Sequence, residues 1–225
     1  MHFTPAEETH ILTRAGLHDL PCLEQVKAKY QEPPRHYHDW NHALAVLSWV
    51  NHCCDDVFND RPVYLTPKCK REMSIAALFH DVIYTTQGSP GNEQDSVWFL
   101  QSQIAHIGEY QEAEKMILTT AKHGKLEFED VAFPTALLMD CDIASFGEPR
   151  WEIAVWNDQN IIKEFLQKYT MEQVKVGRKA FLEGLLAKRS IFLTPYFQDR
   201  FEAQARQNIR RLITELERMS PPPGS

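Results

Sequence analysis

The chain lacks a hydrophobic segment long enough to cross a membrane. Its longest apolar runs, such as residues 75–79, are far shorter than the ~18 residues that a membrane helix requires. Its five cysteines include no Cys-x-x-Cys pair, and no signal-peptide hydrophobic region precedes them. We therefore expect reduced thiols, no membrane segment and a cytoplasmic location.

An excess of basic residues is also absent. The 24 lysine and arginine residues are outnumbered by 31 aspartate and glutamate residues, which gives a formal net charge of -7. Proteins usually bind long nucleic acids through a basic surface that faces the phosphate backbone, so stable nucleic-acid binding is not expected. A single nucleotide carries few charges and stays compatible with this composition.

Alternating runs of β-branched residues between hairpin turns are missing as well, and helical periodicity dominates. Ile75, Leu78 and Phe79, for example, recur at spacings of three and four. Another helix is expected to open near Asn92, with Asn92 as its N-cap, after a turn-rich stretch at 85–92. The rest are predicted at 111–123, 134–143, 149–169, 171–190 and 195–219. No repeat or long linker divides the chain, so we expect one all-α domain over residues 1–219 and a flexible tail at 220–225.

Two segments place histidines beside groups that can bind a metal. His38 and His42 lie four residues apart and share one helix face if the helix has begun by Asp39. His80 and Asp81 interrupt an otherwise apolar helix. An unpaired buried carboxylate costs several kcal/mol, so Asp81 is expected to be exposed, hydrogen-bonded or neutralised by a metal. Of these options only the metal also uses His80.

A third segment ends an apolar helix with two carboxylates, Asp140 and Asp142. Side chains at this spacing point about 200° apart on a helix, so both cannot face one ion in the same way. One is expected to be a ligand and the other a cap or a hydrogen-bonding support, and the spacing leaves the choice open. The order of histidine, His-Asp doublet and aspartate on three predicted helices is more specific than any one segment.

These motifs resemble the HD-domain superfamily of metal-dependent phosphohydrolases, whose name refers to the His-Asp doublet. More closely, the chain is similar to a group of small, bacterial-type predicted HD phosphohydrolases with unassigned substrates. The resemblance covers about residues 30 to 215 and rests on the segments 37–42 (YHDWNH), 77–84 (ALFHDVIY), 92–96 (NEQDS), 117–123 (ILTTAKH), 140–143 (DCDI) and 202–208 (EAQARQN).

The resemblance implies an α-helical bundle whose first divalent ion is bound by four side chains, His42, His80, Asp81 and Asp142. It favours Asp142 over Asp140 because the ligand in related enzymes is the aspartate that an aliphatic residue directly follows. A set of two imidazoles and two carboxylates suits Mn, Fe, Co, Ni or Zn and, less exclusively, Mg. Two octahedral positions would stay open for a water and a phosphoryl oxygen.

The resemblance also suggests catalytic roles for His38 and Asp81. His38 matches the residue that protonates the leaving alkoxide in the cyclic-nucleotide phosphodiesterases, although an asparagine follows that histidine there and Asp39 follows it here. Asp81 could bridge to a second ion. His123 could reach that ion or the substrate phosphate, or could simply cap a helix end.

Several further residues are candidates with weaker support. Arg35, Lys122 and Arg178 could bind the substrate phosphate, although most such side chains are solvated surface groups. Glu93 could support a metal ligand, but a glutamate in a first helical turn needs no such function. Asp140 has the same supporting role if Asp142 is the ligand.

The predicted function is hydrolysis of a phosphoester, from a nucleotide or another small phosphorylated metabolite, by a metal-activated hydroxide. Nucleotides are named as substrates only because they are the usual substrates of the superfamily. Two alternatives stay open. One is a diiron oxygenase on the same kind of helical bundle, and the other is a metal-loaded nucleotide sensor that does not turn its ligand over.

Overall fold

The computed structural model describes residues 2–58, 65–85, 91–104 and 110–219, and within these ranges it has ten α-helices and no strands. The all-α prediction is therefore confirmed. The predicted tail at 220–225 and residues 86–90 of the predicted turn lie outside the described residues. The helices are α1 Pro5–Arg14, α2 Leu23–Tyr30, α3 Trp40–Asn51, α4 Pro67–Phe79, α5 Asn92–Gln103, α6 Gln111–Thr120, α7 Phe133–Asp142, α8 Trp151–Phe165, α9 Met171–Ala187 and α10 Pro195–Arg218.

Three of these helices begin at a Thr-Pro pair. The proline fixes a helical φ in the first turn, and the threonine hydroxyl can accept a free N–H of that turn. Thr4 accepts from the backbone N–H of Glu7, and Thr66 accepts from that of Cys69. At the start of α10 the hydroxyl of Thr194 instead donates to Asp140, at 2.7 Å. This third helix start is thereby attached to the end of α7.

The core is centred on α3 and α4, which pack against each other. α1 covers α3, while α6 and α7 pack on α4. One continuous cluster of buried apolar side chains runs through these helices and reaches α10, and it includes Leu44, Leu47, Ile75, Leu78, Ile117 and Leu212. The ends of α4 and α7 and the start of α3 are thus held rigidly by a common core.

The C-terminal helices form the other side of the molecule. α10 packs on α8, on α9 and on the 3₁₀ turn Ala144–Gly147 that follows α7. Gly147 allows this close approach, since a Cβ there would lie 2.7 Å from the Cβ of Phe201. Because α8 and α9 are anchored in this way, they face the ends of α4 and α7.

The helices predicted from residue 111 onward are present, with ends within about four residues of the expected positions. α1, α2 and the π-helix His52–Val57 were not predicted. The expected N-cap at Asn92 is wrong. Gly91 occupies that position, and the Asn92 side chain bonds to both backbone groups of Thr85. Over the described parts of the chain, every helix is either too short or too polar for a membrane span.

Candidate functional site

Three helix ends bring two imidazoles and a carboxylate to one point. His42 lies in the first turn of α3, His80 directly follows α4, and Asp142 is the last residue of α7. The Nε2 atoms of the two histidines are 3.2 Å apart. Asp142 Oδ1 lies 3.1 Å from the His42 Nε2 and 3.4 Å from the His80 Nε2. His42 and His80 are buried, and the side chain of Asp142 is 13% exposed.

Asp81 joins the same cluster. Its Oδ2 lies 3.1 Å from the Nε2 of His80 and 3.6 Å from the Nε2 of His42. The sequence suggested that His80 and Asp81 interrupt a helix, but α4 ends at Phe79, so the doublet follows the helix. His80 keeps helical backbone angles and its N–H bonds to the carbonyl oxygen of Ala76, and both adjacent side chains reach the cluster from the turn that follows the helix.

The spacing of these atoms fits a metal ion. Bonds of about 2.1 Å to nitrogen and oxygen place adjacent ligand atoms about 3.0 Å apart in an octahedron and about 3.4 Å apart in a tetrahedron. The observed separations of 3.1 to 3.6 Å span these values. The donor atoms of His42, His80 and Asp142 all lie within 4.8 Å of one another. Three of the four predicted ligands, His42, His80 and Asp142, therefore form one group that could hold an ion, and Asp81 lies beside both of its histidines.

A backbone contact sets the orientation of His80. Its Nδ1 lies 2.9 Å from the carbonyl oxygen of Ala77, which can only accept a hydrogen bond. The neutral ring therefore carries its proton on Nδ1 and directs the Nε2 lone pair into the cluster, as metal-binding histidines usually do. Burial opposes protonation of His80, but the neighbouring carboxylates of Asp81 and Asp142 raise its pKa well above the usual range.

Both carboxylates of the cluster are held in the charged form. Burial opposes this, but the charge of His80 and its hydrogen bonds lower the pKa of Asp81 and of Asp142 far below ordinary values. The second oxygen of Asp142 is also used, since Oδ2 lies 2.7 Å from the Nε2 of His123. His123 follows α6, in the turn that contains Gly124. The structure thus places His123 beside Asp142.

Asp140 points away from the cluster. Its carboxylate accepts hydrogen bonds from the backbone N–H groups of Leu193 and Thr194 and from the Thr194 hydroxyl, each at 2.7 Å. Burial raises its pKa to about 7, although these hydrogen bonds favour the charged form. The two aspartates thus separate as their spacing predicted, with Asp142 on the cluster and Asp140 on the segment before α10.

His38 lies next to the cluster but outside α3. Asp39 is the N-cap of α3, so the shared helix face suggested for His38 and His42 does not exist, yet their ring centroids are only 5.6 Å apart. The Nδ1 of His38 lies 2.6 Å from Glu164 Oε2. The ring stacks on Tyr84 with centroids 4.0 Å apart. Burial lowers the pKa of His38, but the Glu164 carboxylate outweighs it and raises the pKa.

Glu164 organises the whole turn that carries His38. Its second oxygen, Oε1, accepts the backbone N–H groups of His36, Tyr37 and His38 at 2.7 to 2.9 Å. The side chain is 1% exposed. Burial raises its pKa, but the charge and hydrogen bonds of His38 and these N–H groups lower it to about 2. One buried carboxylate therefore fixes both the backbone and the ring of His38.

A cavity of about 190 Å³ opens beside the cluster, between α7, α8 and α9. Asp81, Asp142 and His38 line it, together with three of the weaker candidates from the sequence, Glu93, His123 and Arg178. The Nε of Arg178 donates to Asp158 at 2.8 Å. No described residue accepts from the two terminal nitrogens of this guanidinium, so they are free to bind an anion in the cavity.

The other two cationic candidates lie elsewhere. Arg35 donates to the carbonyl oxygens of His38, Asp81 and Val82, so its guanidinium ties the two site segments together. Lys122 is exposed and does not line the cavity. The geometry therefore favours Arg178 over both as the residue that meets a bound phosphate.

No protein-family model matches the chain, and no curated protein matches it at a significant level. What the site can do is therefore argued from its own residues.

Three residues of the site were not predicted from the sequence, and they are Glu164, Asp158 and Tyr84. Glu164 and Asp158 are buried acids on α8, on the side that also buries Ala154 and Ile161. Acidic residues within an apolar helix stripe need partners, and that signal alone could have singled them out. Tyr84 gave no such signal, because its contact with His38 depends on how the segment after α4 folds back.

Proposed function

We propose that this protein is a metal-dependent phosphohydrolase that cleaves a small phosphoester. The grouping of His42, His80 and Asp142 at separations suited to one ion, with Asp81 beside both histidines, carries this proposal. The resemblance of the same four residues to the HD superfamily supports it. A divalent ion held there would supply Lewis acidity, lowering the pKa of a water and polarising a phosphoryl oxygen.

His38 is the proton donor in this proposal. Its Nδ1–H bonds to the Glu164 carboxylate, which leaves Nε2 as the nitrogen that can serve a substrate. The raised pKa of His38 favours the protonated ring, whose Nε2–H can pass its proton to the leaving oxygen. Glu164 touches no reacting atom and acts by positioning His38.

Arg178 is the phosphate-binding residue in this proposal. Its ion pair with Asp158 fixes the guanidinium at the cavity wall, and the terminal nitrogens can donate to equatorial phosphoryl oxygens. A rigidly held cation of this kind stabilises charge that develops on the phosphoryl group. The cavity is smaller than the range of about 300–1,000 Å³ common for small-molecule sites, so a larger substrate must extend beyond it.

The test combines metal content with turnover. Purified protein is loaded with Mn, Fe, Co, Ni, Zn or Mg in turn, and phosphate release is measured for phosphomonoesters, cyclic nucleotides and nucleoside triphosphates. We expect turnover with at least one metal and its loss in His80→Ala and Asp81→Asn. The control is His18→Ala, because His18 is an exposed histidine far from α4 in the sequence and outside the cavity lining.

Three results would contradict the proposal. Turnover that survives both substitutions would place the chemistry elsewhere. Two irons per chain with oxygen consumption and no phosphate release would favour the oxygenase, and the contact between His123 and Asp142 provides the kind of side chain a second iron would need. Tight nucleotide binding by metal-loaded protein without turnover would favour the sensor.

A further inference from the structure

A second cavity, of about 580 Å³, lies next to the one at the metal cluster. The two cavities share wall residues, among them His38, Tyr84 and Arg178. The two cavities are therefore adjacent, and a ligand with its phosphoryl group in the first can extend towards the second. The volume of the second cavity lies in the range of about 300–1,000 Å³ that is common for small-molecule sites.

The wall of this second cavity is aromatic and nearly neutral. Four aromatic rings line it, belonging to Tyr84, Phe165, Tyr169 and Phe181. Its other side chains are the imidazole of His38, aliphatic residues of α8 and α9, Gln173 and Arg178. None of the described residues in the wall is acidic, and Asp158 already balances the charge of Arg178.

We propose that the second cavity binds the leaving group of the substrate and that this group is a flat, uncharged aromatic or heteroaromatic ring. The inference rests on the proposed function, because that function puts the scissile phosphoester next to His38. Aromatic walls favour stacking with another ring, whereas a sugar without an attached ring, or a second phosphate, would lose hydration without gaining that stacking. The preferred substrate is thus a phosphate ester whose alcohol carries such a ring.

Gln173 adds one polar contact to this site. Its carboxamide oxygen already accepts from Thr170 in the capping box that starts α9. No described residue accepts from its side-chain NH₂ group, which can therefore donate to an acceptor atom on the ring. A heteroaromatic ring with a nitrogen or carbonyl oxygen on its edge would satisfy this donor better than a plain phenyl ring.

Gly177 offers a way to fill the cavity without disturbing the helix. It lies on α9 in the cavity wall, and a Cβ added there would meet nothing within 4 Å. Gly184 is the matched control, because it lies on the same helix, is equally open around its Cα and does not line the cavity. The Gly177→Phe side chain should occupy the space that we assign to the ring, and the Gly184→Phe side chain should not.

The first experiment measures binding rather than turnover. Isothermal titration calorimetry of the Mn-loaded protein compares benzylphosphonate with methylphosphonate, whose C–P bonds resist hydrolysis. We expect benzylphosphonate to bind about tenfold more tightly, since the buried ring adds apolar contact area. Gly177→Phe should abolish this preference and Gly184→Phe should keep it, while thermal melting confirms that both variants are folded.

The second experiment measures kcat/KM for a nucleoside 5′-monophosphate and for ribose 5-phosphate, which present the same reacting ester. The ring should raise kcat/KM about tenfold in wild type and not in Gly177→Phe. Equal kcat/KM values for the two esters, or equal binding of the two phosphonates, would overturn the proposal that the second cavity binds a ring. Neither result would contradict the proposed phosphohydrolase function. Tighter binding of octylphosphonate than of benzylphosphonate would overturn the proposed aromatic leaving group and indicate that the cavity prefers an alkyl chain. The absence of both phosphonate binding and hydrolysis of any ester would overturn both proposals.

Discussion

Among single residues, the His80-Asp81 doublet shows how a local helix end creates a site. The second half of α4, Met73–Phe79, is fully buried and almost entirely apolar, and the polar residue pair follows directly after it. Both side chains reach the cluster from the turn that follows the helix. The same doublet placed one turn earlier would direct its two side chains to different neighbours and would leave a carboxylate unpaired in the core.

The assignment of Asp140 and Asp142 can be tested with one substitution at each position. Asp142→Asn should weaken Mn binding by at least about 100-fold, because it removes a charged donor from the cluster. Asp140→Asn should change Mn binding by less than about tenfold but destabilise the fold by about 1–3 kcal/mol, since its NH₂ would face the N–H of Thr194. Calorimetric metal titration and denaturant unfolding measure the two effects, and the opposite pattern would exchange the roles.

Glu164 predicts a specific dependence of stability on pH. Its pKa in the folded chain is about 2 against an ordinary 4.5, so only the unfolded chain takes up a proton between these values. The stabilisation is complete above about pH 4.5, lost as the pH falls towards 2, and at most about 3 kcal/mol.

The measurement is the difference in unfolding free energy between wild type and Glu164→Gln from pH 3 to 6. This difference should be largest near pH 6 and shrink as the solution becomes acidic. The control Glu183→Gln changes an exposed carboxylate on α9 and should differ little from wild type throughout. A difference that grows at low pH would contradict the assigned role of Glu164.

Among the helices, the residues near the start and the length of the apolar face determine which helices the sequence predicts. The predicted helices from residue 111 onward are recognisable because each has a continuous apolar face and a proline or polar residue near its start. α1 and α2 were missed since each is short and buries only two residues within its span. Periodicity is a weak signal over so few turns, and tertiary contacts supply the remaining stability.

Two glycines at different places in the helices should respond oppositely to alanine. Gly124 has φ +75° in the turn after α6, and a Cβ there would lie 3.2 Å from Leu185 Cδ2, so Gly124→Ala should cost about 1–2 kcal/mol. Gly177 lies inside α9 with open space around it, so Gly177→Ala should stabilise by about 0.5–1 kcal/mol. Denaturant midpoints measure both, and stabilisation by Gly124→Ala would contradict the strained turn.

In the whole molecule, the site joins two halves of the fold. α3, α4 and α7 supply the proposed ligands, while α8 and α9 supply Glu164 and Arg178. Two acids and two imidazoles are packed together in the core, so an ion bound by all four side chains would bind the folded chain far better than the unfolded one.

Metal should therefore raise the stability of the whole fold. At 100 times the dissociation constant the gain is about 2.7 kcal/mol, which corresponds to about 5–10 °C in Tm for a chain of this size. Thermal melting of metal-free protein with and without Mn measures it, and His80→Ala should show no such increase. An equal increase in both proteins would mean that the metal binds outside the cluster.

The sequence by itself determined the all-α class and most helix positions and marked the His80-Asp81 doublet, because apolar periodicity and polar groups that interrupt it are local signals. Only the tertiary structure decided that Asp142 and not Asp140 faces the cluster, that Glu164 holds His38, and that Arg35 binds carbonyl groups. Each of these depends on which segments meet in space. Spacing along one helix cannot encode contacts between residues as distant in the chain as His38 and Glu164.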